Sequence, residues 1–198
     1  MATITISRQL GSLGDEVAQA IAKRLDYRVV CRELINQAAI QCGSPEIALS
    51  VIDDLGLFGF RPSTKHRQAF FSVLNTVMEQ YADEGNYVIV GRASQVILRA
   101  RPDVFHVKVI APIDVRASRL AAQQRIPYEA GLAQVTASDL TRRNYLLRYY
   151  HAKWDDPELY DIIVNTARLS PEQAACMVCE AIHKCLNQPF PRGTLPRI

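Results

Sequence analysis

The chain has 198 residues, with 48% hydrophobic and 22% charged side chains and a formal net charge of +3. This length and composition are typical of one ordinary globular domain with a sizeable core. The small charge does not indicate nucleic acid, and no nucleic-acid partner is expected. The sequence has no uninterrupted apolar run of about 18 residues, so it predicts no membrane span and no membrane partner. Because the first residues lack a basic segment followed by an apolar one, we predict a cytoplasmic protein.

Apolar stretches of strand length alternate with helical patterns along the chain. The predicted strands are residues 3–7, 27–31, 87–90, 104–111 and 161–165, and the predicted helices are residues 15–25, 32–41, 66–83, 94–100, 112–124 and 171–186. This alternation predicts an α/β fold with a doubly wound, five-stranded parallel sheet. Ser170 is the predicted N-cap of the last helix.

Residues 1–188 are predicted to form a single domain. Glycine and proline interrupt residues 43–66, for which we expect short helical pieces and a mobile loop. The polar, arginine-bearing segment within residues 122–153 is predicted to act as a helical lid. Residues 189–198 contain three prolines and are predicted to form a loosely held tail.

A strand, a glycine-containing loop and a helix follow one another in residues 3–17. This order is how phosphate sites are built from backbone N–H groups and a helix N-terminus. The phosphate-binding pattern G-x-x-x-x-G-K-[ST] ends in lysine and a hydroxyl residue, whereas Gly14, Asp15 and Glu16 occupy its last three places here. We predict that a phosphate is cradled by the backbone of four residues, Gly11, Ser12, Leu13 and Gly14. A plain strand-to-helix turn is the alternative.

Charged residues flank this loop. Arg8 directly follows the strand, where it is a catalytic candidate that can reach the anion in the loop; a solvated surface arginine fits the pattern nearly as well. Asp15 and Glu16 belong to the predicted phosphate-binding segment, and acidic residues favour the positive N-terminus of a helix. Glu16 has a second interpretation, as a ligand of Mg²⁺ from the place of the usual hydroxyl.

Arg92 is the strongest single candidate for a ligand contact. It follows the predicted strand at residues 87–90, and open α/β sheets bind ligands at the carboxyl ends of their strands. Its planar guanidinium suits bidentate contact with a phosphate. A structural pairing with a carboxylate is the alternative.

Two further groups of arginines lie in helical segments. Arg116 and Arg119 share one helical face; the family resemblance described below implies that one stacks on adenine while the other approaches phosphate, and surface charges of a helix are the alternative. Arg142, Arg143 and Arg148 outnumber the acidic residues near them, which favours a lid that closes over polyphosphate. Arg143 and Arg142 are the preferred catalytic candidates.

Five segments, in order, resemble the cytidylate kinase-like branch of the P-loop nucleoside monophosphate kinases. They are ITISRQLGSLGDEVAQAIAKRL, CRELI, VIVGRAS, DVRASRL and DLTRRNYLLRYYHAKWDDPELYDIIVNTARLS. The branch lacks the lysine of the loop, as this chain does. The resemblance implies that Gly91 and Arg92 of VIVGRAS contact the acceptor nucleotide. Arg32 and Glu33 of CRELI are expected to face the same nucleotide, with a structural ion pair as the alternative.

The resemblance implies an ATP-dependent phosphotransferase that uses Mg²⁺ and phosphorylates CMP or dCMP, with small-molecule nucleotides as its partners. Two departures weigh against turnover, because Asp15 stands where the branch usually has arginine and Cys31 replaces the usual aspartate. A nucleotide- or phosphate-binding protein with little turnover is therefore a second hypothesis, and a kinase for another small acceptor is a third. The sequence leaves a homodimer open.

Overall fold

The computed structural model describes residues 2–41 and 64–186. Within these ranges five strands form one parallel sheet in the order β2-β3-β1-β4-β5. The strands are β1 (Thr3–Arg8), β2 (Arg28–Val30), β3 (Tyr87–Val90), β4 (Val104–Ile110) and β5 (Ile162–Asn165). The predicted α/β fold with a five-stranded parallel sheet is confirmed. Our expectations for residues 43–63 and for the tail lie outside the described residues.

Helices connect the strands and lie on both faces of the sheet. They are α1 (Gly14–Leu25), α2 (Arg32–Gln41), α3 (Thr64–Glu84), α4 (Ser94–Ile97), α5 (Ile113–Gln124), α6 (Tyr128–Tyr150) and α7 (Pro171–Leu186). A 3₁₀ turn at Pro157–Leu159 precedes β5. Among the described helices, none is both long and apolar enough to cross a membrane.

Ser170 begins α7 as the sequence predicts. The N–H of Gln173 donates to Ser170 Oγ at 3.2 Å, and the N–H of Ser170 donates to Gln173 Oε1 at 2.9 Å. This reciprocal pair is a capping box, which satisfies two backbone groups that the helix start leaves without partners.

The two faces of the sheet carry separate apolar clusters. On one face Ile4 and Ile6 of β1 are fully buried in a cluster with α1 and α7. On the other face Phe70 and Leu74 of α3 pack into a cluster that includes Ile89 of β3. A parallel sheet covered on both faces is built from continuous apolar runs, which explains why the strands read as such in the sequence.

A buried ion pair joins α5 to α6. Arg116 Nη1 and Nη2 donate to the two carboxylate oxygens of Asp139 at 3.1 and 2.9 Å, and the two side chains are 4% and 8% exposed. The helices approach closely at Gly131, where a Cβ would lie 2.7 Å from the oxygen of Ala117. The pair therefore fixes α6, which covers the carboxyl ends of the strands, to the rest of the domain.

We expect Asp139→Ala to lower the free energy of unfolding by about 3–5 kcal/mol, because it leaves the Arg116 guanidinium buried without its charged partner. Asp83→Ala is the control: Asp83 pairs with Arg101 on the surface and is 69% exposed, so its loss should cost less than about 1 kcal/mol. Urea denaturation of both variants measures the difference. Equal losses would contradict the structural role of the buried pair.

Candidate nucleotide site

Two arginines of α5 hold the loop between β1 and α1 by its carbonyl groups. Arg116 Nη1 donates to the oxygen of Leu10, and Arg119 Nη1 donates to the oxygen of Gly11, each at 3.4 Å. The sequence analysis gave both arginines direct contact with the nucleotide. For Arg116 the structure corrects this, because its side chain is buried and all three guanidinium nitrogens have protein acceptors. Contact of Arg119 with the nucleotide stays a prediction.

Two hydroxyl groups complete the support of the loop. Ser12 Oγ donates to the oxygen of Gln9 at 2.7 Å. Thr166, the residue after β5, donates from Oγ1 to the oxygen of Ser12 at 2.7 Å. Together with the two arginines, these groups direct four consecutive loop carbonyls into the protein.

Three N–H groups of the loop have no hydrogen-bond acceptor within the described part of the protein. In the described part of the chain, no acceptor pairs with the N–H groups of Gly11, Leu13 or Gly14, and no side chain caps α1, but the N–H of Ser12 donates to the oxygen of Gln9 at 3.2 Å. The first N–H groups of a helix have no intrahelical partner and attract anions. The loop therefore has the geometry of a phosphate cradle, while phosphate binding by Gly11, Ser12, Leu13 and Gly14 stays a prediction.

The backbone of Leu13 indicates how the loop relates to the G-x-x-x-x-G-K-[ST] pattern. Leu13 has a φ of 59°, in the left-handed region that glycine adopts without strain. This conformation suits the second glycine of the pattern, which puts Gly14 in the lysine's place and Asp15 in the hydroxyl's place. The sequence analysis set both places one residue later, at Asp15 and Glu16. Glu16 is exposed on α1, and its contact with Mg²⁺ stays a prediction.

Arg8 crosses from the end of β1 toward β3. Its Nε donates to Asp15 Oδ1 at 3.0 Å, and its side chain is 21% exposed. A Cβ at Gly14 would lie 2.3 Å from the Cβ of Arg8, and a Cβ at Gly91 would lie 2.5 Å from its Nη1. The arginine therefore passes over two residues that have no side chain.

A cavity of about 550 Å³ lies at the carboxyl ends of β1, β2 and β3 and beneath α6. This volume is within the range of small-molecule sites. Three arginines line it, Arg8, Arg92 and Arg142, and no aspartate or glutamate of the described residues does. Uncharged side chains from the rest of the wall include Cys31 and Tyr145. The excess of positive charge suits an anionic ligand.

Arg92 lies in an unusual backbone turn directly after β3. Gly91, Arg92 and Ala93 have φ values of 79°, 58° and 57°. For the two residues with side chains, this left-handed region costs roughly 1–2 kcal/mol each, and such strain is concentrated at functional sites. Among the described residues no carboxylate pairs with Arg92, so the structure does not show the ion pair that was its alternative interpretation.

The arginines of α6 differ in their positions. Arg142 lines the cavity and donates to the oxygen of Ser138 at 3.4 Å. Arg143 is exposed, and its Nε donates to Asp155 Oδ2 at 2.6 Å. Arg148 lies over the ring of Tyr149, 5.7 Å from its centroid. The structure thus brings Arg142 to the cavity and leaves Arg143 beside it; catalytic roles for both stay predictions.

Asp155 bridges α6 and the sheet. It accepts from Arg143 and also, through Oδ1, from Lys108 Nζ at 3.1 Å. Burial acts to raise the pKa of Asp155, but the hydrogen bonds from Arg143 and Lys108 outweigh it and lower that pKa below its ordinary value. Burial also lowers the pKa of Lys108, against the opposing effect of Asp155. The carboxylate is therefore charged at neutral pH and holds two cations of different elements.

The segment after β2 is described in part. Glu33 accepts from the N–H of Cys31 at 3.0 Å, a contact at the start of α2. Arg32 begins this helix, but its side chain is outside the described residues. The predicted contacts of Arg32 and Glu33 with an acceptor stay predictions.

Two residues of the site were missed by sequence reasoning. Thr166 follows β5 and holds the loop, and its place at the carboxyl end of a strand was a usable signal. Trp154 lines the cavity and donates from Nε1 to Ser7 Oγ at 2.9 Å. Nothing in the local sequence pattern shows that its segment folds back onto β1.

A parallel sheet with an anion cradle after its first strand is the architecture of the P-loop kinases. The chain belongs to the cytidylate kinase-like family, whose model matches residues 3–168. A cytidylate kinase from Methanocaldococcus jannaschii is 25% identical over 182 residues, which are 90% of this chain and 96% of that protein. One from Pyrococcus horikoshii is 34% identical over 102 residues, 51% of this chain and 52% of that protein. The chain thus spans about half the length of the latter relative.

Solved structures of other proteins share the fold. An uncharacterized protein from Eubacterium ventriosum ATCC 27560 has a TM-score of 0.72 at 20% identity, covering 92% of this chain and 99% of that one. A gluconokinase from Sinorhizobium meliloti 1021 has a TM-score of 0.55 at 15% identity, covering 92% and 96%. A shikimate kinase from Acinetobacter baumannii has a TM-score of 0.52 at 11% identity, covering 93% and 94%. At these identities the likeness shows the fold and not the substrate.

We expect nucleotide binding to change the fluorescence of Trp154, because the chain has one tryptophan and it lies in the cavity wall. Titration with CMP and with ATP, read at the tryptophan emission maximum, measures the change. Trp154→Phe should remove the signal, while calorimetry on that variant still detects binding. An unchanged emission at a nucleotide concentration that calorimetry shows to be saturating would contradict this placement of the ligand.

Proposed function

We propose that the protein transfers the γ-phosphoryl group of ATP to a pyrimidine nucleoside monophosphate, CMP or dCMP. The observation that carries the proposal is the cavity with Arg8, Arg92 and Arg142 in its wall and no described acidic side chain. It opens at the strand ends that carry the loop after β1. Membership of the cytidylate kinase-like family supports the choice of nucleotides.

The two ends of the site have different tasks in this proposal. The unpaired N–H groups of the loop bind the phosphates of the donor. Arg92 binds the phosphate of the acceptor, for which its planar guanidinium provides two parallel hydrogen bonds. Phosphoryl transfer depends on positioning and on cations placed where negative charge develops, so no nucleophilic side chain is needed.

Helix α6 is the proposed lid. It carries Arg142 and Arg143, and its inner face forms one wall of the cavity. Closure over both substrates would bring the two guanidinium groups to the transferring phosphoryl group and exclude water from the reaction. Arg143 must then leave Asp155, which keeps its second partner, Lys108.

The residues of the loop fit a magnesium ion that arrives with ATP. Such an ion is held mainly by phosphate oxygens, with one or two protein carboxylates. Asp15 and Glu16 are exposed carboxylates in the first turn of α1. Among the described residues there is no group of three metal-ligating side chains, which agrees with an ion held chiefly by its nucleotide. When bound, the ion neutralises the charge on the donor phosphates.

A second candidate function is nucleotide binding with little turnover. The observation that favours it is the ion pair between Arg8 and Asp15 at the loop, because the carboxylate offsets a cation that phosphate transfer requires. The third hypothesis from the sequence, a kinase for another small acceptor, concerns the same site with a different occupant.

One assay separates these candidates. ADP release from ATP and Mg²⁺ is measured with CMP, dCMP, other nucleoside monophosphates, and the small hydroxyl compounds shikimate and gluconate as acceptors. Turnover with CMP or dCMP supports the proposal. Turnover with a different acceptor alone would support the third hypothesis instead. A rise in melting temperature with ATP without any turnover would support nucleotide binding as the function.

We expect Arg92→Lys to weaken binding of the acceptor about tenfold or more, with little change in ATP affinity, because lysine keeps the charge but loses the bidentate geometry. Arg125→Lys is a matched control, since Arg125 also has a left-handed φ, of 56°, but is exposed outside the cavity. Calorimetry with CMP and with ATP measures both affinities. An unchanged affinity for CMP in folded Arg92→Lys would remove Arg92 from the proposed acceptor site.

We expect Arg143→Ala to lower kcat about a thousandfold while ATP affinity changes little, because a cation that acts only in the closed state stabilises the transition state. Arg148→Ala, on the same helix but away from the cavity, should keep kcat within about threefold. Steady-state kinetics and equilibrium ATP binding provide the two readouts. If both variants turn over like the wild type, the role proposed for Arg143 is wrong.

A further inference from the structure

Arg8 takes up the space that a side chain at position 14 would need. Gly14 stands in the lysine's place of the loop pattern, according to the backbone conformation of Leu13. A Cβ at Gly14 would lie 2.3 Å from the Cβ and 2.7 Å from the Cγ of Arg8. A lysine at position 14 and the arginine at position 8 therefore exclude each other in these conformations.

The guanidinium group of Arg8 lies beside a second glycine, Gly91. A Cβ at Gly91 would lie 2.5 Å from Arg8 Nη1, so glycine at this position leaves room for the guanidinium between the loop and the turn that carries Arg92. The side chain lines the cavity there. Its path thus starts at the strand end, crosses the first residue of α1 and ends beside the proposed acceptor contact.

The hydrogen bonds of Arg8 leave its two terminal nitrogens available. Nε donates to Asp15 Oδ1 at 3.0 Å, and no described acceptor pairs with Nη1 or Nη2. Asp15 is 70% exposed, so it orients the guanidinium without burying it. An arginine held in this way presents the outer edge of its fork to an anion.

We propose that Arg8 supplies, from the end of β1, the cation that the P-loop lysine supplies from the helix start in other P-loop enzymes, and that Asp15 positions it. The proposal rests on the function proposed above, since it concerns the phosphates of the ATP bound at this loop. Arg8 then contacts the β- and γ-phosphates in the ground state, before α6 closes. Gly14 is glycine because a side chain there would overlap with the Cβ and Cγ of Arg8.

The test removes the cation at position 8 and introduces a lysine at position 14, where the loop pattern has one. We expect Arg8→Ala to lower kcat/KM for ATP about a thousandfold, the scale for a phosphate cation in such transfers. Gly14→Lys alone should also lose activity, because the lysine stem overlaps with Arg8. The double variant Arg8→Gly with Gly14→Lys removes the overlap and restores a loop lysine, and we expect it to exceed both single variants at least tenfold. Lys23→Ala, an exposed cation of α1, is the control and should match the wild type.

Circular dichroism and melting temperature establish that each variant is folded, and ATP binding is measured beside kcat. If Arg8→Ala keeps wild-type kcat/KM, or if the folded double variant is no better than folded Arg8→Ala, this inference is overturned while the proposed function stands. If the wild-type protein neither binds nor uses ATP, the proposed function fails and this inference fails with it. The two failures are therefore distinguished by the wild-type measurement.

The positioning role of Asp15 has its own readout. Asp15→Asn keeps an oxygen that accepts from Arg8 Nε, whereas Asp15→Ala does not. We expect Asp15→Ala to lower kcat about tenfold while ATP binds no more weakly, since a negative charge near the phosphates is removed at the same time. Asp15→Asn should recover most of kcat. Equal kcat values for the two variants would show that Asp15 does not act through Arg8.

Discussion

The site depends on one constraint, which is that the loop after β1 must turn its oxygens away from any phosphate. Four successive carbonyls point into the protein and are held there by Arg116, Arg119, Thr166 and Ser12. With these carbonyl groups held, the N–H groups of Gly11, Leu13 and Gly14 have no acceptor among the described residues, whereas that of Ser12 donates to Gln9. The cost of burying Arg116 is offset by Asp139, so the preorganised loop has its origin in a buried ion pair between α5 and α6.

The same helix, α6, both supports the loop after β1 and covers the cavity. Helix α6 provides Asp139 to the support of the loop, and the same helix forms the cavity wall through Ser138, Arg142 and Tyr145. One turn further along α6, Arg143 is joined to β4 through Asp155 and Lys108. A movement of α6 is therefore restrained by a buried ion pair at Asp139 and by an exposed one at Arg143, and the exposed pair is the easier one to release.

The sequence was sufficient for the sheet, for most of the described helices and for the position of Arg92 after β3, because each rests on local periodicity or on position at a strand end; the contact of Arg92 with a ligand stays a prediction. The sequence did not predict the buried ion pair of Arg116. It placed Arg116 and Arg119 on one helical face, but the partner of Arg116, Asp139, lies 23 residues away on another helix. The left-handed backbone of Leu13 was also unreadable, since leucine gives no signal for it. For this reason the register of the loop pattern was set one residue too late. Only the structure shows that Arg8 occupies the space that a side chain at position 14 would need.

The absence of described acidic residues from the cavity wall has a consequence for selectivity. The described charged groups of the wall are all cationic, and such groups attract inorganic phosphate, sulfate and nucleotides alike, an attraction that weakens as salt screens it. The positive charge of the wall therefore explains why anions bind, but not which anion is preferred. Among the described residues of the wall, the neutral side chains of Gln134, Ser138 and Thr141 carry hydrogen-bonding groups, which the proposed function would use to tell one base from another. Buffers that contain phosphate would therefore compete with the substrate for the same arginines.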